Sequence, residues 1–68
     1  MNNSFRITLD PEKLALAMAN KSFTVSKLAE VTGRSRAIVT TWINARTVNP
    51  KQAGELAKAL EVDVKDLI

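Results

Sequence analysis

The chain of 68 residues contains no cysteine, no histidine and no tyrosine. The lack of cysteine excludes disulfides and thiolate metal sites, and the lack of histidine removes the commonest metal ligand and the commonest general base. Catalysis would have to depend on carboxylates, lysines and hydroxyls in a domain too small for a large cleft. We therefore expect no enzymatic activity, no metal site and no cofactor.

Aromatic residues and long apolar runs are also scarce. Phe5, Phe23 and Trp42 are the only aromatic residues, so leucine, alanine, valine and isoleucine must build most of the core. No apolar run approaches the roughly 20 residues of a membrane-spanning helix, and the N-terminus lacks the apolar segment of a secretory signal. These absences predict a single cytoplasmic domain with no membrane association.

The net charge of +3 is unevenly distributed along the chain. The segment from Lys21 to Lys51 carries six basic residues and one acidic residue, a net charge of +5, whereas the remainder carries four basic and six acidic residues, a net charge of −2. One interpretation is an ordinary solvated surface. The other is a basic face that binds a polyanion.

Residues 1–9 are predicted to form a short extended N-terminal arm ahead of a domain at residues 10–68. Apolar and polar residues alternate from Phe5 to Leu9, and a period of two is typical of a strand. A lone strand has no partner inside a helical domain. We therefore expect either an extended arm or a strand that pairs with its own copy across a dimer.

The rest of the chain predicts an all-α fold of five short helices. Apolar residues recur at i, i+3 and i+4, and each of the four longer helices follows a residue that caps helix N-termini: Asp10, Thr24, Ser35 and Asn49. Gly33 ends the second helix because glycine readily adopts the left-handed conformation. The predicted helices are 11–20, 25–31, 36–44 and 50–60, followed by a short turn from residue 64.

The segment "TVSKLAEVTGRSRAIVTTWINAR", residues 24–46, places two helices on either side of a very short turn. Its inward-facing residues and its turn glycine resemble the helix-turn-helix, here residues 24–44, of the phage repressor and Cro-like family, also called the xenobiotic-response-element type. "LDPEKLALAMANKSF" is similar to that family's first helix, and "NPKQAGELAKALEVDVKDL" to its fourth and fifth. The resemblance therefore covers residues 9–67 and implies a compact five-helix lambda-repressor-like domain.

The outward side of the third helix carries small polar and basic residues. Val39 and Trp42 are predicted to anchor one face of this helix, so the opposite face is free to enter the major groove of B-DNA. We interpret Trp42 as a core residue and not as a base-stacking one, whereas a solvated surface is the alternative interpretation of the polar face. The predicted base-contacting residues are Arg36, Ala37, Thr40, Thr41 and Asn44.

The resemblance also implies where the DNA backbone is bound. This family holds a phosphate at the start of the second helix, where free backbone N–H groups suit an anion. Basic residues at the edges of the motif are expected to add ionic contacts. The predicted phosphate-contacting residues are Thr24, Ser26, Lys27, Arg34, Ser35, Arg46 and Lys51.

The first functional interpretation is a sequence-specific transcriptional regulator that binds double-stranded DNA. We expect a small Cro-like repressor of phage or mobile-element type that binds a palindromic operator as a homodimer, with two recognition helices about 34 Å apart. A restriction–modification controller or an antitoxin of the same fold would look alike. Either the "SFRITL" segment or the C-terminal "VKDLI" is predicted to make the dimer contact.

Departures from the family pattern keep a second interpretation open. Val25 stands where the family often has glutamine, Arg34 where it prefers an apolar residue, and Ala45 where it usually has glycine. Ile38 is an unusual apolar residue beside the predicted recognition surface. The alternative is a protein-interaction module of the same fold, an antitoxin or modulator that binds a repressor or toxin with weak or no DNA binding.

Overall fold

A computed structural model describes residues 5–68. It confirms a mainly helical domain, but the predicted fifth helix is a single turn of 3-10 helix. None of the helices in this described part of the chain is long and apolar enough to cross a membrane. The elements in chain order are β1 (Ile7–Thr8), α1 (Pro11–Lys21), α2 (Val25–Thr32), α3 (Arg36–Ala45), β2 (Thr47–Val48), α4 (Pro50–Leu60) and the 3-10 turn (Val64–Asp66).

Each α-helix begins at the capping residue that the sequence predicts. The side-chain oxygens of these four caps accept hydrogen bonds from first-turn N–H groups at donor–acceptor distances of 2.8 to 3.2 Å. At α4 the cap is reciprocal, because the N–H of Asn49 donates to Gln52 Oε1 at 3.1 Å. Local sequence therefore determines where all four helices start.

The helix ends are less visible in the sequence. Gly33 ends α2 in the left-handed region at φ 74°, as predicted. The other three α-helices also end in a left-handed residue, but these residues are Ser22, Arg46 and Glu61. For a residue with a side chain, the left-handed conformation costs about 1–2 kcal/mol. The residue types at these three positions therefore do not predict where the helices end.

The N-terminal strand has a partner inside the domain, contrary to the prediction from the sequence. β1 pairs antiparallel with β2, with Ile7 opposite Val48. The N–H of Leu9 donates to the carbonyl of Arg46 at 2.6 Å, and Leu9 is fully buried. The expectation of a lone strand was wrong because the loop after α3 is itself extended and supplies the second strand. Residues 1–4 of the predicted arm lie outside the described residues, and the boundary after residue 9 stays a prediction.

The core lies where α2, α3 and α4 meet, and Leu9 and Leu67 add to it from outside these helices. The apolar stripe predicted for α4 is buried in full, and no polar or charged residue of the described chain is buried. Leu67 directly follows the 3-10 turn and is fully buried, and its carbonyl accepts the N–H of Asp10 at 2.7 Å. The buried residues are Leu9, Leu14, Ala17, Leu28, Ala29, Val39, Trp42, Val48, Ala53, Leu56, Ala57, Leu60 and Leu67.

Gly54 lies inside α4, where a Cβ would meet no heavy atom within 4 Å. We predict that Gly54→Ala raises the free energy of unfolding by about 0.4–1 kcal/mol, because alanine loses less backbone entropy on folding. Gly33→Ala is the matched control: its site is equally open, but its φ of +74° should make the same substitution destabilising by about 1 kcal/mol or more. Urea unfolding followed by circular dichroism measures both, and a destabilising Gly54→Ala would contradict the prediction.

Candidate nucleic-acid interface

The turn between α2 and α3 is short and is closed by two backbone hydrogen bonds. The N–H of Gly33 donates to the carbonyl of Glu30 at 3.3 Å, and the N–H of Arg34 donates to the carbonyl of Ala29 at 3.1 Å. Ser35 then caps α3 directly. Because only residues 33–35 connect the two helices, the position of α3 is set by the position of α2 and by the core beneath both helices.

The two faces of α3 differ as the sequence predicts. Val39 is fully buried and Trp42 is 5% exposed, so this side of the helix belongs to the core. The opposite side is open to solvent along its whole length. All five predicted base-contacting residues are exposed there: Arg36, Ala37, Thr40, Thr41 and Asn44.

One residue of this face already uses its hydroxyl hydrogen within the helix. Thr41 Oγ1 donates to the carbonyl of Ala37 at 2.9 Å. The hydroxyl oxygen of Thr41 can still accept a hydrogen bond, and its methyl group can still make an apolar contact. Thr41 is therefore better suited to an apolar or accepting contact than to donating a hydrogen bond to a base.

The start of α2 presents the groups that an anion would need. Thr24, Ser26 and Lys27 are all exposed. Thr24 Oγ1 accepts the N–H of Lys27 at 3.1 Å, and at the start of α3 Ser35 Oγ accepts the N–H of Ile38 at 3.2 Å. Because each hydroxyl oxygen is an acceptor in its cap, its hydrogen is free to donate to a phosphate oxygen.

Three of the predicted ionic phosphate contacts, Lys27, Arg46 and Lys51, are exposed. Arg46 ends α3, and Lys51 lies in the first turn of α4. Within residues 5–68 neither of them forms an ion pair, whereas Lys27 Nζ lies 3.6 Å from Glu30 Oε1 on the open surface. Such exposed pairs are weak and readily exchanged, so all three cations are available to a polyanion.

Arg34 differs from the other predicted phosphate contacts. Its Nε and Nη2 atoms donate to the two carboxylate oxygens of Glu55 at 2.9 and 2.7 Å. Its guanidinium carbon also lies 5.8 Å from the centre of the Trp42 ring. The side chains of Arg34 and Glu55 are 36% and 24% exposed, so the pair is half-buried between the turn and α4.

Glu55 is a functional candidate that the sequence pattern did not single out. It lies 21 residues from Arg34, beyond the range of any local pattern. The one available signal is Arg34 itself, because a charge at a turn position where this family prefers an apolar residue calls for a counter-charge. The hydrogen bonds from Arg34 are the main cause that lowers the pKa of Glu55 below its ordinary value of 4.5; desolvation opposes them, and attraction to Arg34 and Lys51 adds to them.

This pair predicts a specific sensitivity to acid. Because the folded-state pKa of Glu55 is depressed, the pair contributes its full stability above the ordinary value of 4.5 and loses it as the pH falls through the lower folded-state pKa. We expect the Tm difference between the wild type and Glu55→Gln to be largest near neutral pH and to shrink as the pH falls below 4.5. Glu30→Gln, which removes a carboxylate from an exposed pair, is the control. A Tm difference that stays constant from neutral to acidic pH would contradict the prediction.

Comparison with known proteins agrees with this geometry. The family model described as "Cro/C1-type HTH DNA-binding domain" matches residues 13–68. The chain belongs to the Cro/C1-type helix-turn-helix DNA-binding domain family. No curated protein matches the chain.

A solved structure provides a second comparison. The structure of a point mutant of hydroxyethylphosphonate dioxygenase is similar to this chain with a TM-score of 0.74 and 27% sequence identity. The similarity covers 91% of this chain but only 14% of that one. It therefore concerns a small part of the dioxygenase chain.

Proposed function

We propose that the protein is a sequence-specific transcriptional regulator, a small Cro-like repressor of phage or mobile-element type that binds a palindromic operator as a homodimer. The observation that carries the proposal is the two-sided character of α3. Its apolar side is fixed in the core by Val39 and Trp42, and its polar side is exposed over the full helix. A rigid helix with one free polar face fits the major groove of B-DNA. Because the sequence lacks cysteine, histidine and tyrosine, we also propose that the protein is not an enzyme.

The base contacts follow from the chemistry of the exposed side chains. Arg36, at the start of α3, is proposed to donate two hydrogen bonds to a guanine. Asn44, two turns further on, is proposed to pair with an adenine or to contact a phosphate. Thr40 offers a hydroxyl to a base edge, whereas Thr41 offers a methyl group to thymine because its hydroxyl hydrogen is already used.

The phosphate contacts are proposed to come from the margins of the motif. Thr24 and Ser35, which cap α2 and α3, can each donate a hydroxyl hydrogen to a phosphate oxygen. The N-terminus of α2 adds its unpaired N–H groups as further donors. Ser26 is exposed on the first turn of α2. The proposed ionic contacts are Lys27, Arg46 and Lys51.

The proposed homodimer needs a contact that leaves α3 free. Both segments that the sequence suggests for it present a large apolar side chain to solvent: Phe5 is 69% exposed and Ile68 is 52% exposed. Burying such side chains against a second copy is favourable. Light scattering tests the homodimer, and a monomer at micromolar concentration would contradict it.

The direct test of sequence-specific binding uses a candidate operator and a random duplex. We expect the wild type to prefer its operator by about a thousandfold or more. The double variant Arg36→Ala, Thr40→Ala should lose most of this preference, because it removes base-edge contacts, while its binding to random duplex changes little. Lys58→Ala, an exposed α4 substitution outside the motif, should keep the preference. Operator affinity of the double variant equal to that of the wild type would rule out the proposed base contacts.

The phosphate contacts are tested by the salt dependence of binding. Each phosphate contact contributes about −0.9 to the slope of log K against log salt on B-DNA. We expect Lys27→Ala to flatten the slope by about that amount on operator and random duplex alike, because a phosphate contact carries no sequence information. An unchanged slope would remove Lys27 from the phosphate contacts, and Lys58→Ala again serves as the control.

A second candidate function is supported by one feature of the same surface. Val31 at the end of α2 is 45% exposed, and Ile38 on α3 is 42% exposed. Apolar side chains at these positions suit a protein partner, such as a repressor or toxin, better than they suit a phosphate backbone. Weak and salt-insensitive binding of the wild type to every duplex would favour this module over the regulator.

A further inference from the structure

Arg34, one of the predicted phosphate contacts, is already paired with the carboxylate of Glu55. A guanidinium binds a phosphate through two parallel N–H donors, and it binds a carboxylate in the same way. In Arg34 two donors are already directed to the two oxygens of Glu55, at 2.9 and 2.7 Å. Glu55 therefore already uses the two donors with which Arg34 would bind a phosphate group.

The pair also joins three parts of the recognition unit. Arg34 belongs to the turn between α2 and α3, and Glu55 belongs to α4. The guanidinium lies 5.8 Å from the centre of the ring of Trp42, which is the residue that anchors α3 in the core. One ion pair thus connects the turn, the anchor of α3 and α4.

We propose that Glu55 is a positioning residue for DNA recognition: it holds Arg34 against the turn and Trp42, fixes the start of α3, and keeps Arg34 off the DNA backbone. This inference rests on the proposed DNA-binding function. It replaces the interpretation of Arg34 as a phosphate contact with a role inside the protein.

For Arg34, leaving Glu55 to bind a DNA phosphate would bring no net gain in hydrogen bonding. The bidentate bonds to Glu55 would be replaced by equivalent bonds to phosphate. Arg34 would also leave the ring of Trp42, and the unpaired carboxylate of Glu55 would lie near the negatively charged backbone. Lys51, one turn before Glu55 on α4, also attracts this carboxylate.

Removing the carboxylate charge of Glu55 is expected to strengthen DNA binding of one kind and to weaken specificity. In Glu55→Gln, Arg34 is released and becomes one additional cation for the DNA backbone. Binding to random duplex should strengthen, and the slope of log K against log salt should become steeper by about 0.9. Preference for the operator over random duplex should fall for two reasons. The start of α3 is held less firmly, and the added contact of Arg34 with the DNA backbone does not depend on the base sequence.

The experiment compares Arg34→Gln, Glu55→Gln, the double variant and the wild type in two measurements. The first is the salt dependence of binding to operator and random duplex, with Lys27→Gln as the control for loss of a phosphate contact. The second is Tm, which reports on the pair without DNA. All five proteins, the Lys27→Gln control included, are measured as the 68-residue chain.

The expected results separate the two roles of Arg34. Arg34→Gln should weaken operator binding while its salt slope on random duplex stays that of the wild type, and the double variant should lose the steeper slope of Glu55→Gln. In the thermal cycle the double variant should melt no lower than the less stable single variant, because either substitution already breaks the pair. A slope for Arg34→Gln flattened as much as that of Lys27→Gln would overturn the inference, and so would additive losses of Tm.

Failure of the proposed function gives a different result. A wild type without salt-dependent DNA binding would overturn the regulator and, with it, the role of Glu55 in recognition. The thermal cycle would still show whether the pair couples the turn to α4. Normal DNA binding by the wild type combined with additive Tm losses would overturn the role of Glu55 alone.

Discussion

The burial of Val39 and Trp42 is the constraint on which the rest of this structure depends. In a helix each residue is rotated by about 100° from the previous one, so two buried positions three residues apart fix which residues face outward. Any other rotation of α3 would bring Val39 and Trp42 out of the core and put polar residues in their place, which closely packed interiors do not tolerate. The exposed row from Arg36 to Asn44 is a consequence of this packing. The rigidity of the candidate interface is therefore a property of the core beneath it.

Much of the fold was accessible from the sequence because its signals are local. The four N-caps, the left-handed Gly33 and the apolar stripe of α4 are determined by residues within one or two turns of each other, and the structure confirms them. The features that escaped prediction join distant parts of the chain or contradict residue preference. The β1–β2 pair links segments about forty residues apart. Ser22, Arg46 and Glu61 adopt a conformation that their side chains disfavour, so residue type does not identify these turns even though local hydrogen bonds close them.

The candidate site shows the same division between local and distant signals. Exposure of the predicted base-contacting residues followed from helical periodicity, and the structure places all five on one open side of α3. Arg34 was recognised as a departure from the family pattern, but its partner was not, since Glu55 lies on a different helix. The described residues contain three ion pairs, and each of them involves one of the acidic residues Glu30, Glu55 and Glu61. Among the basic residues of the segment 24–46, only Arg34 is held in a half-buried pair, while Arg36 and Arg46 are exposed.

The most direct test of the central claim is an NMR titration of the isotopically labelled protein with a short duplex of random sequence. Non-specific binding uses the same phosphate contacts as specific binding, so no operator is needed. The backbone amides of α3 and of the first turn of α2 should shift, with the shifts reversed by added salt, while the amides around the exposed Leu16 of α1 should not change. Shifts confined to α1, with α3 unaffected, would contradict the claim that the core holds α3 outward to bind DNA.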